Sequence, residues 1–216
     1  RFGRRLVLLV GLVLFGAAAA AATQAGGPQE LIVLRGAMGV GAALVMPTTL
    51  SVITTSFPEH ERGKAVGLWV GVAGGGAVLG LLGSGLLLEW FAWNSFFTLN
   101  VVLALVAAAG TIAFVPASRA PVPPRLDPIG ALLSLTGLVA LVYGIIEAPA
   151  RGWLSATTLV ILAGGVLALT AFVVWELRSA EPMLDPRLFS DRGFGTGSLS
   201  ITVQFFAAFG FFFIIL

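Results

Sequence analysis

Cysteine is absent from this 216-residue sequence, histidine occurs once, and charged residues make up only 10 % of it. The lack of cysteine excludes disulfide bridges and thiolate metal sites. Average soluble domains are about 25 % charged, so this chain has too few charges to cover a surface that faces water. These deficits exclude an ordinary soluble enzyme, a disordered chain and a nucleic-acid-binding protein, and the formal net charge of +2 does not indicate a basic patch.

The sequence is instead 58 % hydrophobic, in long runs without charge. A helix of about 20 apolar residues crosses the roughly 30 Å of hydrocarbon in a bilayer, and the runs lack the sustained alternation of barrel strands. Seven runs are near or above that length: 6–29, 36–58, 65–88, 90–118, 128–146, 152–175 and 193–216. The sequence therefore predicts an all-α membrane protein, a helical bundle with seven transmembrane helices. Because it begins at Arg1 and ends within the last run, we expect it to be part of a longer chain.

Lysine and arginine are concentrated in alternate connections between these runs. The other set of connections contains only Arg151, whereas ten basic residues fall in the first set: Arg1, Arg4, Arg5, Arg62, Lys64, Arg119, Arg125, Arg178, Arg187 and Arg192. Positive charge marks the cytoplasmic side of a membrane protein. We therefore expect the N-terminus of the chain to be cytoplasmic, on the same side as residues 56–64, 116–126 and 177–192.

Two patterns near the start of the chain resemble signatures of the major facilitator superfamily. The opening residues Gly3, Arg4 and Arg5 are similar to the end of the Asp-Arg-x-Gly-Arg-Arg loop between helices 2 and 3 of these transporters. The next pattern resembles the helix 4 signature of their proton-driven antiporters, with methionine at position 38 where glutamine is usual. Its residues are Arg35, Gly39 and Gly41, which the resemblance assigns to proton coupling and transport.

Further patterns extend the resemblance along the chain. Residues 76–85 are similar to the helix 5 signature of the antiporters, with Leu81 in place of its proline and Ser84 in place of a glycine. Residues 126–131 and 144–153 resemble the extra helix pair of the 14-helix drug:proton antiporters, and residues 181–189 resemble the cytoplasmic run after it. The resemblance implies three segments: 1–116, helices 3 to 6 of the N-terminal bundle; 117–176, two linker helices; and 177–216, the cytoplasmic connection and the first helix of the C-terminal bundle.

The function that this resemblance implies is secondary transport across a membrane. It implies proton-coupled antiport that exports hydrophobic or cationic compounds by alternating access, in a multi-pass protein of a bacterial cell membrane. The implied partners are the lipid bilayer, protons, a small-molecule substrate and the remaining helices of the same full-length chain, with no cofactor and no metal. Two alternatives stay open: an exporter of another substrate class in the same superfamily, and a membrane scaffold or sensor that transports nothing.

Arg35 is the single cation within the apolar pattern of the second run. A charged side chain at a helix centre costs roughly 2.5–3.5 kcal/mol on insertion scales, and less near a helix end because its stem can reach the interface. One interpretation is therefore an interfacial arginine, about one turn into the helix. The other is a cation that faces a polar cavity and favours the ionised form of a nearby carboxylate. The carboxylate of the family lies on its helix 1, which this chain lacks.

Glycines recur at helical spacing in the third run. The set is Gly67, Gly71, Gly75, Gly76, Gly80, Gly83 and Gly85. Small residues three or four apart share a helix face and let two backbones approach closely. They indicate either static packing or a seam along which two halves of a transporter slide, and the two interpretations are compatible. Gly39 and Gly41 make a similar small face below Arg35.

The remaining polar features favour structural roles. A single histidine, His60, lies between two glutamates in a charged loop that we interpret as a solvated turn, and the chain has no Ser/His/Asp set, so we predict no enzyme. Glu147 closes its helix and is interpreted as interfacial. Residues 177–192 contain Leu184 and Leu188 one turn apart, which indicates a short interfacial helix that tethers the linker pair to the next bundle.

Overall fold

The computed structural model describes residues 3–117, 127–179 and 182–215. These residues form seven long α-helices and a 3₁₀ helix at Pro186–Ser190, and they include no β-strand. The long helices are α1 (Arg4–Ala22), α2 (Pro28–Ser56), α3 (Glu59–Trp90), α4 (Ser95–Phe114), α5 (Pro128–Arg151), α6 (Ala156–Arg178) and α7 (Arg192–Ile215). Each is long and apolar enough to cross a membrane. The predicted all-α membrane protein with seven spanning helices is confirmed.

The helices do not coincide with the uncharged runs that predicted them. α1 ends at Ala22 although its run extends to residue 29, because glycines precede Pro28 and proline is favoured in the first turn of the next helix. α3 begins at Glu59 and includes the charged residues up to Lys64. Charge is costly in the hydrocarbon layer but not in the part of a helix that projects beyond it, so uncharged runs locate spans and not helix ends.

The described residues belong to two compact units, the first formed by α1 to α4 and the second by α5 to α7. The 3₁₀ helix contacts both α6 and α7 within the second unit. The division into three segments stays a prediction. Predictions for residues 1–2, 118–126, 180–181 and 216, which include Arg1, Arg119 and Arg125, lie outside the described residues.

In the first unit α1 packs against both α2 and α4. Three alanines, a methionine and a phenylalanine form the buried cluster of this unit: Ala18, Ala19, Ala22, Met38 and Phe97. α1 and α2 touch backbone to backbone at Gly11 and Gly41, where a Cβ atom added to Gly41 would lie 2.8 Å from the Gly11 carbonyl oxygen. α3 contacts α2 and α4 at few positions and has no buried residue.

In the second unit α5 and α6 pack along a stripe of glycines. On α5 the stripe consists of Gly130, Gly137 and Gly144, which share a face because they are seven residues apart. A Cβ atom on Gly137 would lie 2.7 Å from Cδ2 of Leu169, and one on Gly144 would lie 2.7 Å from Cδ2 of Leu162. The absent Cβ atoms therefore provide the space into which leucines of α6 insert.

Substituting Gly137 with alanine is expected to destabilise this helix pair. The new Cβ would also lie 3.1 Å from the backbone nitrogen of Leu169, which cannot rotate away, and such overpacking costs about 1–3 kcal/mol. Thermal unfolding of the purified protein in detergent measures the change. Gly164→Ala is the matched control, since nothing lies within 4 Å of a Cβ there and alanine favours the helix by up to about 1 kcal/mol. A midpoint equal to that of the control would contradict the packing described.

Candidate functional site

An open cavity of about 240 Å³ lies between α1, α2 and α4. α2 contributes one face, with residues at the i, i+3, i+4, i+7 spacing of a helix. Apart from Arg35 and Asn100 the lining is apolar, and in full it comprises Phe15, Arg35, Met38, Gly39, Ala42, Phe96 and Asn100. Arg35 and Gly39, two of the residues predicted for transport, thus line one cavity of the first unit.

Arg35 is deeper in its helix than the sequence suggested. α2 begins at Pro28, so Arg35 is its eighth residue and lies roughly 10 Å along the axis from the helix start. Its side chain is exposed to the cavity, and no acidic group among the described residues forms an ion pair with it. A guanidinium does not lose its proton in a protein. The cavity therefore contains a permanent positive charge that these parts of the chain do not neutralise.

Asn100 is the second polar group of the cavity, and the sequence analysis missed it. Its Nδ2 atom donates a hydrogen bond to the Phe96 carbonyl oxygen at 2.8 Å, which leaves the side-chain oxygen as an acceptor. An asparagine in the middle of a long apolar run was the signal that could have identified it, because an amide buried in a bilayer requires a partner. The cavity thus offers a cation, an amide and the aromatic walls of Phe15 and Phe96.

The structure separates the two glycines that the helix 4 resemblance grouped with Arg35. Gly39 lines the cavity, and nothing lies within 4 Å of a Cβ atom added there. Gly41 lies against α1 instead, where a Cβ atom would be 2.8 Å from the Phe15 nitrogen and 2.9 Å from the Phe15 Cβ. Gly39 leaves space in the cavity, and Gly41 sets the distance between the two helices that form its wall.

Arg4 and Arg5, from the predicted loop signature, fasten the first turn of α1 to two other helix ends. Arg4 Nε donates to Ser51 Oγ near the end of α2 at 2.8 Å, and Arg5 Nη2 donates to the Ile112 carbonyl oxygen near the end of α4 at 2.9 Å. The residue four places after Ile112 is Pro116, which has no N–H, so the arginine satisfies a carbonyl that lacks its helical partner. Gly3 precedes α1 with a positive φ of 87°.

The glycines of α3 have no partner among the described residues. A Cβ atom added at any of them would meet nothing within 4 Å: Gly67, Gly71, Gly75, Gly76, Gly80, Gly83 and Gly85. This surface is open in the first unit, and the sliding seam stays a prediction. His60 has the exposed side chain that was expected, but the predicted loop is wrong here, because α3 already begins at Glu59.

Two acidic residues meet at the start of α5 and the end of α6. Asp127 caps α5, because its Oδ1 accepts the Gly130 N–H at 2.9 Å, and Trp175 Nε1 donates to its Oδ2 at 3.0 Å. The Gly130 hydrogen bond, with smaller contributions from Trp175 and Glu176, lowers the pKa of Asp127 below its ordinary value. Glu176 is 1 % exposed. The sequence alone did not indicate that these two acids meet.

The opposite end of α5 carries an ion pair. Arg151 Nε donates to Glu147 Oε2 at 2.8 Å, and Arg151 Nη2 donates to the Tyr143 hydroxyl at 2.9 Å. Arg151 is the single basic residue of the connections predicted to be outside, and Glu147 pairs with its charge. The pairing accounts for both charges at the end of a spanning helix.

Comparison with known proteins gives a consistent result along the whole chain. The sequence profile of the Major Facilitator Superfamily matches residues 1–216. The chain is 35 % identical over 210 residues to the multidrug resistance protein Stp of Mycobacterium tuberculosis and 39 % identical over 212 residues to the puromycin resistance protein pur8 of Streptomyces alboniger. It is 31 % identical over 211 residues to the tetracenomycin C resistance and export protein of Streptomyces glaucescens.

These alignments cover almost all of this chain but only part of each relative. They include 97 % or 98 % of the chain, and 39 % to 42 % of the relatives, so the chain spans about two fifths of the length of the curated proteins it matches. With the seven apolar helices, the match indicates a multi-pass membrane protein. The chain belongs to the major facilitator superfamily of membrane transporters.

Proposed function

We propose that the protein containing this chain is a proton-coupled antiporter that exports hydrophobic or cationic compounds by alternating access. The observation that carries the proposal is Arg35, a cation without an acidic partner in the described residues. It lines a cavity between α1, α2 and α4 whose lining is apolar apart from Arg35 and Asn100. The relatives named for drug resistance and export support the substrate class. The chain contributes part of the transport pathway, and the remaining helices of the protein complete it.

Arg35 acts in this proposal through its fixed charge. In a cavity of low dielectric, a guanidinium strongly favours the ionised form of a carboxylate that approaches it. A carboxylate on another helix of the intact protein would take up a proton on the side where protons are abundant and release it when it faces Arg35. Asn100 and the aromatic walls provide contacts for an uncharged or delocalised substrate.

The orientation proposed for the protein follows from the basic residues. Arg4 and Arg5 connect the start of α1 with the ends of α2 and α4, so three helix ends of the first unit meet at the arginine-rich side. Positive charge favours the cytoplasm, which makes this side cytoplasmic in the membrane of a bacterium. The cavity at Arg35, near the other end of α2, then lies toward the outer half of the bilayer.

Transport by inside-out membrane vesicles tests the proposal, with ethidium as the hydrophobic cation. Vesicles that contain the intact protein and have an acidic interior are expected to accumulate ethidium and to release it when a protonophore collapses the gradient. Accumulation that survives the protonophore would contradict proton coupling. Absence of gradient-driven uptake of ethidium, puromycin and other compounds would favour the alternatives, an exporter of another substrate class or a scaffold or sensor.

Replacing Gly80 with leucine is expected to reduce this transport more than it reduces the amount of protein in the membrane. Leucine adds four carbons to an open face of α3. We propose that a helix from the other half of the transporter slides along this face, and overpacking there costs about 1–3 kcal/mol. Vesicle uptake and a membrane immunoblot measure the two effects. Leu79→Phe, a neighbouring exposed position, controls for added bulk, and unchanged uptake in Gly80→Leu would show that Gly80 faces lipid.

A further inference from the structure

Where Asp127 and Glu176 meet, three of the four carboxylate oxygens accept a hydrogen bond and one does not. Asp127 accepts from the Gly130 N–H and from the Trp175 indole. Glu176 Oε2 accepts the backbone N–H of Leu184 at 2.9 Å. Glu176 Oε1 is buried and has no hydrogen-bond donor. Burying a carboxylate oxygen without a hydrogen-bond donor costs free energy, so we expect a donor at this atom.

Gly130 shows where that atom points. A Cβ atom on Gly130 would lie 2.5 Å from Glu176 Oε1 and would also contact Asp127 Oδ2. Both carboxyl groups thus approach the same small space beside Gly130, from α6 and from the cap of α5. The free oxygen of Glu176 therefore lies beside the Asp127 carboxyl group, in the space that a side chain at position 130 would fill.

The charged side chains that the structure describes around the pair form no ion pair with it. On the segment after α6, Arg187 Nη2 donates to the Leu177 carbonyl oxygen at 3.4 Å, and Asp185 accepts the backbone N–H of Arg187. Asp191 caps α7 by accepting the Phe194 N–H. Neither Arg178 of α6, nor Arg187, nor Arg192 of α7 forms an ion pair with Asp127 or Glu176 in the described residues. Two carboxylates that meet, with no cation beside them among the described residues, disfavour the ionisation of both groups.

We propose that Asp127 and Glu176 form a proton-binding site, in which Glu176 Oε1 holds one proton and donates it to the Asp127 carboxylate. The pair then carries one negative charge, on Asp127, which receives the hydrogen bonds that suit an anion. The proton provides the donor that Oε1 otherwise lacks. This site is distinct from the cavity at Arg35 and does not depend on the proposed export.

The same proton fixes the segment that follows α6. With Glu176 neutral and seated beside Gly130, its Oε2 atom accepts the Leu184 N–H and holds the chain that leads through Pro186–Ser190 to α7. Loss of the proton places two negative charges in contact, so the Glu176 side chain moves toward water and the hydrogen bond to Leu184 breaks. Proton occupancy therefore controls whether this segment is fastened to the linker pair.

Infrared difference spectroscopy of the intact protein in liposomes tests proton binding directly. At neutral pH the wild type is expected to show the carbonyl band of a protonated carboxyl group, which is lost in Glu176→Gln. It is also expected to be lost in Asp127→Asn, whose amide donates to an ionised Glu176. Glu147→Gln is the matched control and should retain the band, since Glu147 pairs with Arg151 at the other end of α5. A wild-type-minus-Glu176→Gln difference spectrum without this band would overturn the proposal, because subtraction removes the bands of other protonated carboxyl groups in the intact protein.

Hydrogen exchange of the 182–190 segment provides a second readout. After correction for the intrinsic pH dependence of exchange, the wild type is expected to lose protection as pH rises. Glu176→Gln, which cannot lose a proton there, should stay protected at every pH, and Glu176→Ala should exchange about tenfold faster at neutral pH, as expected for one lost hydrogen bond. Equal protection in Glu176→Ala would contradict the role of Glu176, and protection that follows sodium concentration at constant pH would assign the site to a cation instead.

Discussion

Replacing Arg35 with alanine is expected to abolish gradient-driven export while the amount of protein in the membrane stays the same or rises slightly. The substitution removes the positive charge of the cavity, so a carboxylate that enters it keeps its proton and the exchange cycle stalls. Insertion does not suffer, because a charged side chain in a spanning helix is costly. Arg35 makes no hydrogen bond or ion pair with the described residues, so its removal leaves the packing of α1, α2 and α4 intact.

Arg35→Lys separates charge from shape. Lysine keeps the charge but lacks the planar set of donors, so its transport rate should fall between those of the wild type and alanine. Ethidium uptake by vesicles with an imposed pH gradient gives the rates, beside a membrane immunoblot, and Arg62→Ala on the exposed first turn of α3 controls for loss of an arginine as such. Wild-type uptake by Arg35→Ala would leave Arg35 as an interfacial residue only. If the Arg35→Ala protein were missing from the membrane, the role of Arg35 would be in folding.

The number of spanning helices was predictable because the bilayer imposes it. Crossing the hydrocarbon layer requires about 20 apolar residues, and charge-free runs of that length are visible without a structure. The ends of the helices were not predictable in the same way. Glu59 and Lys64 belong to α3 because a helix continues beyond the membrane until its backbone meets a residue such as Pro58, and run length contains no such information.

Packing partners could be inferred only in part. The sequence analysis selected glycines three or four residues apart, the spacing typical of close helix crossings, and these positions on α3 are open in the structure. It overlooked Gly130, Gly137 and Gly144, whose spacing of seven also produces a single face. Spacing alone identifies which residues share a face but not which helix covers that face.

The candidate sites also combine residues whose proximity the sequence does not reveal. A family resemblance identified Arg35 and Gly39, which line the cavity, but Asn100 lies on α4 and comes near them only in the fold. Glu176 and Asp127 are far apart in the sequence, and each alone is an ordinary acidic residue at a helix end. Their contact results from the antiparallel packing of α5 on α6, which brings the start of one helix to the end of the other.

Gly41→Ala is expected to destabilise the first unit, whereas Gly39→Ala is expected to leave its stability unchanged. A Cβ atom on Gly41 would meet the Gly11 carbonyl oxygen and the Phe15 nitrogen at 2.8 Å. Both are backbone atoms, so relief requires that α1 move away from α2, and the cost is at the upper end of the roughly 1–3 kcal/mol typical of overpacking. Gly39, two residues away on the same helix, has open space where its Cβ would lie.

The two variants therefore test whether stability and transport use different faces of α2. Thermal unfolding of the detergent-purified protein should show a midpoint lower by several degrees in Gly41→Ala and unchanged in Gly39→Ala. Because Gly41 also fixes the position of Phe15 in the cavity wall, its variant should lose ethidium uptake together with stability. Gly39→Ala, which narrows the cavity by one methyl group, should alter uptake alone. Equal midpoints for the two variants would show that α1 and α2 do not touch at Gly11 and Gly41.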